Sequence, residues 1–501
     1  MLFSRLALDK LSVSDFTRDE LHRETSRTQG LLTTRSEYDR LGRLHRRDVF
    51  TGNAQRPSPR RWSRRWDYDY RNNLVREERD DNPFSWYRWQ YDSAGRLLVQ
   101  DGTLPGQEQW RWDAAGNPLE GSAEKVTHNR LTQLNGIRWR YDIHGRTVEK
   151  DNGQTRWHYA NHGLTEVISQ PRDRNKPQTQ VSFRYDPLGR RISKTRRQML
   201  GGQPTCKPVT TRFVWEGFRL LQEVHGDVPL TYVYSDQDSY DPLARIDGVD
   251  APEIFWFHCQ PNGTPERMTD IEGQVRWEGV NSAWGKLLRE SETQRSGYSQ
   301  NLRMQGQYLD RETGLHYNLF RYYDPDCGRF TQQDPIGLSG GINTYVYAIN
   351  PLNWVDPLGL KAKCAPTRAN DHNQAAFGRQ WQGRGIYKGR DSWSNTMLKE
   401  ADIVYGGAPG QSGFYFDKAT LDAANGSRQK LWESLQVLPH EKFGFRSKIQ
   451  MYRVKRDAIA GTGQALSQDT GMFGSGGGTQ FFLSNYKKVL EPIGLPFDIG
   501  I

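Results

Sequence analysis

The sequence predicts a mostly β chain, a long run of β-hairpins followed by a small α+β domain. Aromatic residues make up 12% of the 501 residues, although apolar residues reach only 35% and mean hydropathy is -0.86. Disordered chains are poor in aromatics, and aromatics favour a pleated, half-buried surface. A Tyr-Asp-x-x-Gly-Arg unit recurs between Tyr38 and Ala244, and recurrence of one short unit marks a repeat architecture. After Leu360 the unit vanishes and part of the apolar spacing turns helical. The length admits three or four domains, or one large repetitive body.

The repeats come first in the chain. Clear copies begin at Tyr38-Asp39, Tyr91-Asp92, Tyr141-Asp142 and Tyr185-Asp186, and each continues to Gly-Arg. Degenerate copies sit at Tyr68-Asp69 with Asn72, Trp112-Asp113 with Gly116, Tyr159 with Gly163, and Tyr240-Asp241 with Ala244. Alternating residues such as Trp86, Arg88, Trp89 and Tyr91 carry a strand's period. Asp and Gly then supply turn chemistry, one by bonding nearby backbone and the other by accepting positive φ. A lone hairpin is marginal in water, so the units are expected to pair side by side into one coiled sheet.

These units resemble the RHS/YD-repeat family. The likeness continues through Gly306-Gln307-Tyr308-Leu309-Asp310-Arg311-Glu312-Thr313-Gly314-Leu315-His316-Tyr317-Asn318 to Asp356-Pro357-Leu358-Gly359-Leu360. That resemblance implies a hairpin spiral of the kind its members wind around a toxic cargo. Full-length members have many more repeats, so the expectation here is a partial shell. The implied organisation is an N-terminal segment at 1–34, repeats at 35–305, a core-terminal segment at 306–360 and a small α+β toxin domain at 361–501.

The same resemblance implies self-cleavage after Leu360 by Asp334 and Asp356, with Arg321 as the matching basic residue. Two carboxylates in one site do not both ionise, so one stays an acid while the other activates water. Each Asp-Pro-x-Gly is also an ordinary turn sequence. Asp324 and Asp326 are read as turn residues.

In the tail, Lys361 to Asn370 reads as a linker. Residues 393–402 and 417–436 have the spacing of short helices, with Trp393, Met397 and Leu398, then Leu421, Leu431, Trp432 and Leu435. Strands are expected at Ile449–Val454 and Gln480–Leu483. His372 and His440 stand far apart, no paired-cysteine or histidine cluster exists, and Ser412 lacks a nucleophile-elbow frame, so no metal site is expected. The run Gly474-Ser475-Gly476-Gly477-Gly478-Thr479-Gln480-Phe481-Phe482 is either a flexible link or a wall of backbone amides facing an anion.

That run resembles the tuberculosis-necrotizing-toxin type of NAD glycohydrolase, and its surroundings resemble the wider ADP-ribosyltransferase group. The resemblance implies NAD as substrate, Arg453 with Gly476, Gly477, Gly478 and Thr479 holding the dinucleotide, and Gln480 stabilising the ribosyl cation, with Glu491 as a further acid. Arg446 and Arg428 are other cations suited to the pyrophosphate. Phe414 and Tyr415 are placed to stack on a ring, and Phe414 and Phe416 equally suit a core. The tail lacks a Glu-x-Glu pair, and Glu491 precedes Pro492, which departs from the transferase pattern.

No stretch of 18 apolar residues exists, so no membrane-spanning segment is expected. The first ten residues lack the apolar middle of a secretory signal. Cys206, Cys259, Cys327 and Cys364 are scattered without paired spacing, which argues against a disulfide framework. Residues 361–501 hold 19 Lys and Arg against 12 Asp and Glu, so +7 of the chain's +10 lies there. That charge suits either solubility or an anionic ligand. The expected function is a polymorphic toxin of interbacterial competition that consumes NAD as an ADP-ribosyltransferase. The alternatives are an NAD glycohydrolase without a macromolecular acceptor, or a nuclease; a surface-binding repeat protein is the non-enzymatic one. Expected partners are an immunity protein, a secretion component such as type VI secretion, and a protein or RNA target. The toxin would be cytoplasmic in its producer and reach the target cell by a route without a signal peptide.

Overall fold

The computed structural model describes residues 5–499 except 9–10, 22, 53–59, 82, 121–125, 152–153, 161–162, 174, 237–238, 293–296, 361, 365–391, 409–413, 436, 438–444, 456–457, 465–476 and 484–485. The chain is mostly β. It divides into two compact units, with the main break between Thr367 and Arg368.

In the first unit strands pair antiparallel with their neighbours in sequence, except that Gln203–Pro204 is bypassed and Arg191–Leu200 pairs directly with Val209–Glu216. A ten-stranded sheet runs in order from Arg5–Leu8 to Glu108–Gln109, and a 16-stranded sheet from Gln133–Leu134 to Leu287–Glu292. Four more strands, Tyr308–Asp310, Leu315–Asn318, Arg321–Asp324 and Arg329–Phe330, form a third. Residues 5–34, set apart in the sequence reading, belong to the first sheet; Leu11–Arg18, Glu24–Gln29 and Leu32–Tyr38 pair in succession.

The repeat unit explains the hairpins residue by residue. In the copy at Tyr91, Oδ1 of Asp92 accepts the backbone N–H groups of Ala94 and Arg96 at 2.9 Å, and Oδ2 accepts Arg96 Nε at 2.6 Å. Gly95 sits at φ +83, where a side chain is strained. The Tyr91 hydroxyl donates to the Leu74 carbonyl at 2.6 Å, stitching its strand to an earlier one. Asp142–Arg146 and Asp186–Arg190 repeat the pairing. Asn117 replaces the arginine in a degenerate copy, donating to Asp113 Oδ2 at 2.7 Å.

The ribbon also returns on itself. Trp256 Nε1 donates to the Val13 carbonyl at 2.7 Å, Leu31 N–H to the Ile271 carbonyl at 2.8 Å, and Arg64 pairs with Glu266 at 3.0 Å. The core-terminal segment packs into the cluster that the hairpins leave, with Tyr308, Tyr317 and Tyr322 against Phe183, Phe213 and Trp277. Arg191, fully buried, pairs with Asp310 at 2.5 Å, and its guanidinium lies 4.3 Å from the Tyr317 ring centre. Asp324 and Asp326, expected as turn residues, both receive Lys150.

The second unit is a seven-stranded antiparallel sheet. Its strands lie in the order Ser392–Leu398, Ala458–Gln464, Thr479–Phe482, Phe414–Phe416, Ile403–Ala408, Lys448–Val454 and Leu490–Asp498. The helix expected at 393–402 is a strand instead, paired over all seven residues with Ala458–Gln464. Trp393 and Met397 are an even number apart, so their spacing suits a strand face as well, and tertiary pairing decides. The helix expected at 417–436 is two short ones, Lys418–Ala423 and Arg428–Ser434, capped by Asp417 and Ser427. Asn425 and Gly426 at φ +47 and +78 break the rod between them.

Candidate functional site

Arg321, Asp334 and Asp356 come together although 35 residues separate the first from the last. Arg321 opens the Arg321–Asp324 strand, so its backbone is fixed by pairing. Asp334 is held by its Asp-Pro-x-Gly turn: its Oδ1 accepts Ile336 N–H at 3.0 Å, and its own N–H donates to the Thr344 carbonyl at 2.9 Å. Asp356 follows the Trp354–Val355 strand, which pairs with Lys363–Cys364. The intervening loop therefore doubles back through Leu360.

One guanidinium nitrogen, Arg321 Nη2, lies 3.0 Å from Asp334 Oδ2, 3.4 Å from Asp356 Oδ2 and 3.4 Å from the Leu360 carbonyl oxygen. Arg321 Nε donates to the Gly359 carbonyl, and its Nη1 to the Thr344 carbonyl at 3.0 Å. The Leu360 N–H donates to Asp356 Oδ1 at 2.9 Å. All three side chains are buried, with Arg321 and Asp356 each 1% exposed. Burial pulls the Arg321 guanidinium down to about 10, against the pull of both carboxylates. Burial likewise raises the Asp334 carboxyl, opposed by Arg321 and the Ile336 N–H. A cavity of about 870 Å³ opens nearby, lined by Tyr185, Leu319, Phe320, Gln332, Gln333 and Pro335, and none of Arg321, Asp334, Asp356 or Leu360 lines it. A carboxyl whose protonated form burial favours, a second carboxyl on the Leu360 N–H and a guanidinium on the Leu360 carbonyl are groups of the kind that acid–base hydrolysis of a peptide bond uses.

Two residues here escaped the sequence reading. Asn318 donates from Nδ2 to the Asp356 carbonyl at 2.8 Å. Gly340 leaves room that a Cβ would take from Asp334 and the Leu360 carbonyl. Asn318 lies inside the quoted core-terminal stretch, but nothing in its spacing singles it out.

The toxin residues are more dispersed. Gln480 lies in the Thr479–Phe482 strand, and its Nε2 donates to the Leu435 carbonyl at 2.5 Å. Gly478 and Thr479 do not offer free amides: Gly478 N–H donates to the Ser434 carbonyl at 3.0 Å and Thr479 N–H to Thr420 Oγ1 at 2.9 Å. The expected anion-binding wall is thus spent at these two positions on holding the glycine strand to the helices. Gly477 is exposed at φ +93, and Gly476 lies outside the described residues. Arg453 sits three strands from Gln480, about 14 Å by strand spacing, and faces Glu491 across a strand pair at 3.5 Å. The structure does not bring these two expected residues together. Tyr415, expected to stack on a ligand, is a core residue against Tyr452 and Tyr486, because both faces of the sheet are covered. Phe416 is core on the opposite face, and half-buried Phe414 packs on Phe482 at 4.9 Å. Arg446 donates to the Gly407 carbonyl at 3.2 Å beside Trp432, on the Gln480 side of the sheet, and Arg428 opens the second helix. His372, His440 and Ser412 lie outside the described residues. Among the described residues no group of three His, Cys, Asp or Glu could hold a metal. No helix among them is long and apolar enough to cross a membrane.

Comparison with known proteins gives the wider setting. Residues 370–485 match the Rhs1 C-terminal toxin domain, and residues 254–291 match the RHS protein family. The chain is 41% identical over 376 residues to the double-stranded DNA deaminase toxin A of Burkholderia cenocepacia (strain H111), a match covering 70% of this chain and 26% of that protein. It thus spans about a quarter of that relative. A solved Rhs1-CT in complex with its cognate immunity protein RhsI1 is 85% identical, over 26% of this chain and 100% of that one, with a TM-score of 0.26. The Photorhabdus luminescens Tc holotoxin pore shares the fold at TM-score 0.52 and 15% identity, over 72% of this chain and 20% of that one. The domain matched in the tail is an Rhs1 toxin domain. The RHS match in the repeats and the Rhs1 toxin-domain match in the tail together place the chain in the RHS family of polymorphic toxins, with an Rhs1 C-terminal toxin domain.

Proposed function

We propose that this RHS toxin cuts its own chain between Leu360 and Lys361, and that the C-terminal fragment poisons cells by hydrolysing NAD. The observation that supports the first step is Leu360 held between Asp356 and Arg321. Ionised Asp356 takes a proton from water, whose oxygen adds to the Leu360 carbonyl carbon. Arg321 stabilises the developing oxyanion. Protonated Asp334 gives its proton to the Lys361 nitrogen as the C–N bond breaks, leaving a Leu360 carboxyl and a Lys361 amine. Wild-type chain is expected to give fragments of about 42 and 16 kDa in proportion to residue number, and Asp334→Asn or Asp356→Asn to stay whole. A folded wild-type chain that remains in one piece would leave the carboxylates as turn residues.

For the fragment, hydrolysis is favoured over transfer because the tail lacks the paired glutamates of the transferase pattern. Gln480 is the group we place beside the ribosyl cation, its carboxamide fixed through the Leu435 carbonyl. Arg446 replaces Arg453 as the pyrophosphate partner, because it lies on the Gln480 side of the sheet. A second reading, action on DNA, is favoured by the name of the Burkholderia relative and by the +7 charge of the tail. One assay separates them. The full chain, incubated with labelled NAD and, separately, with double-stranded DNA and with RNA, is expected to yield ADP-ribose and nicotinamide. Gln480→Ala should abolish that turnover, and Arg446→Ala should weaken NAD binding. Damaged nucleic acid with intact NAD would install the second reading, and label on protein would restore the transferase. The complexed Rhs1-CT suggests a cognate immunity protein as partner, and delivery through a secretion machine completes the proposal.

A further inference from the structure

The turn that precedes Arg321 grips the loop to be cut. Leu319 and Phe320 form a two-residue connection between Asn318 and Arg321, which pair with each other. From this short stretch, Asn318 Nδ2 donates to the Asp356 carbonyl at 2.8 Å, Phe320 N–H to the Leu358 carbonyl at 3.3 Å, and Arg321 to the carbonyls of Gly359 and Leu360. Four of the five residues from Asp356 to Leu360 thus have their carbonyl held by one turn. Gly359 lies so close that a Cβ there would overlap the Asn318 backbone.

Two costs sit in the same turn. Leu319 is buried at φ +57, in the left-handed region that an L side chain enters only at a cost. Asn318 is 0% exposed, and its Oδ1 has no hydrogen-bond partner, which costs the full desolvation of a buried acceptor. Leucine has nearly asparagine's shape without the orphan acceptor, so stability alone would favour it. Outliers of this kind gather where geometry serves a reaction.

We propose that Asn318 is a positioning residue of self-cleavage: its amide fixes the Asp356 carbonyl, so that the Asp356 carboxylate meets the Leu360 N–H and the scissile carbonyl faces Arg321. This rests on the reading of Asp334 and Asp356 as the cutting pair. Asn318 touches no reacting atom and acts through the backbone of Asp356.

The test follows full-length chain made by cell-free synthesis, with the rate of cleavage read by gel at several pH values and the folded chain's melting temperature measured alongside. Asp356→Asn serves as control. Asn318→Leu is expected to melt within a few degrees of the uncut Asp356→Asn chain, yet to cut at least tenfold more slowly. The low-pH limb of its rate should also move to higher pH, because a carboxylate that loses the Leu360 N–H gains a proton more easily. Asn318→Ala should slow cutting similarly, so a failure of one variant to fold does not decide the matter. If both cut at the wild-type rate, or are slow only in proportion to lost folding with an unmoved pH profile, Asn318 is merely structural. If Asp356→Asn still cuts, or wild type never does, the reading of the acid pair has failed first and the positioning role goes with it.

Discussion

Replacing Gly340 by Ala tests the cutting site at the smallest scale, one methyl group. A Cβ built at Gly340 would lie 2.9 Å from Asp334 Cγ and 3.0 Å from the Leu360 carbonyl oxygen, closer still to Asp334 Oδ2, where ordinary contact begins at 3.4 Å. Neither neighbour can yield cheaply. Asp334 is tied through both its N–H and its Oδ1, and Leu360 through its N–H and its carbonyl. The acid must therefore retreat from the scissile carbonyl by on the order of 1 Å, a misplacement that typically slows a reaction about 10²-fold. That factor corresponds to about 2.7 kcal/mol of barrier. The backbone itself has no reason to object, since Gly340 is not among the positive-φ glycines. Pulse-labelled full-length chain, sampled over time and resolved by gel, gives the rate directly. Gly340→Ala should cut about a hundredfold more slowly while melting within a few degrees of Asp334→Asn. Wild-type cutting by Gly340→Ala would refute the placement of Asp334 beside Leu360.

With Asp334 as the proposed acid, cleavage would need its proton. Burial raises its pKa, so the rate should hold above the usual carboxylate range and fall as pH climbs through the raised value. A rate that grows steadily into alkaline pH would contradict this assignment. Asp241 makes a separate prediction about stability. Burial pushes its carboxyl up to about 6 from 3.8, with Arg27 and Arg47 pulling the other way. Below 3.8 both folded and unfolded chains hold the proton; between the two values only the folded chain does, so stability falls as pH rises. The loss is about 3 kcal/mol at neutral pH. Asp241→Asn should therefore raise the melting temperature at pH 7.5 and lose that advantage near pH 4, and a constant difference would show that the carboxyl is not perturbed.

What the sequence made legible was whatever acts over a few residues. In Asp92, Gly95 and Arg96 the donor, the bend and the counter-ion fall within five positions, so the hairpin could be read from one copy and counted by repetition. The cutting trio was reached through a resemblance, because spacing alone does not say that Arg321 and Asp356 meet. Asn318 and Gly340 stayed hidden, since their partners, Asp356 for one and Leu360 for the other, are brought near only by the fold. In the tail, Arg453 and Gln480 looked like parts of one pocket. The strand order puts Phe414–Phe416 and Ile403–Ala408 between them, and no sequence interval encodes that shuffle. Trp393 and Met397 fit two periods at once, and the pairing with Ala458–Gln464 chose between them.

The return of the ribbon on itself, Val13 to Trp256 and Leu31 to Ile271, sets a timetable for folding. Hairpins between adjacent strands close short loops and form early, whereas contacts some 240 residues apart must wait for nearly the whole ribbon. The core-terminal segment can dock its tyrosines only on hairpins that already exist, and Arg321 reaches Leu360 only after that docking. The proposed cut would therefore be the last event in a sequence. A chain that severs itself carries a receipt for completed folding, and an uncut chain in a cell marks a ribbon that never closed.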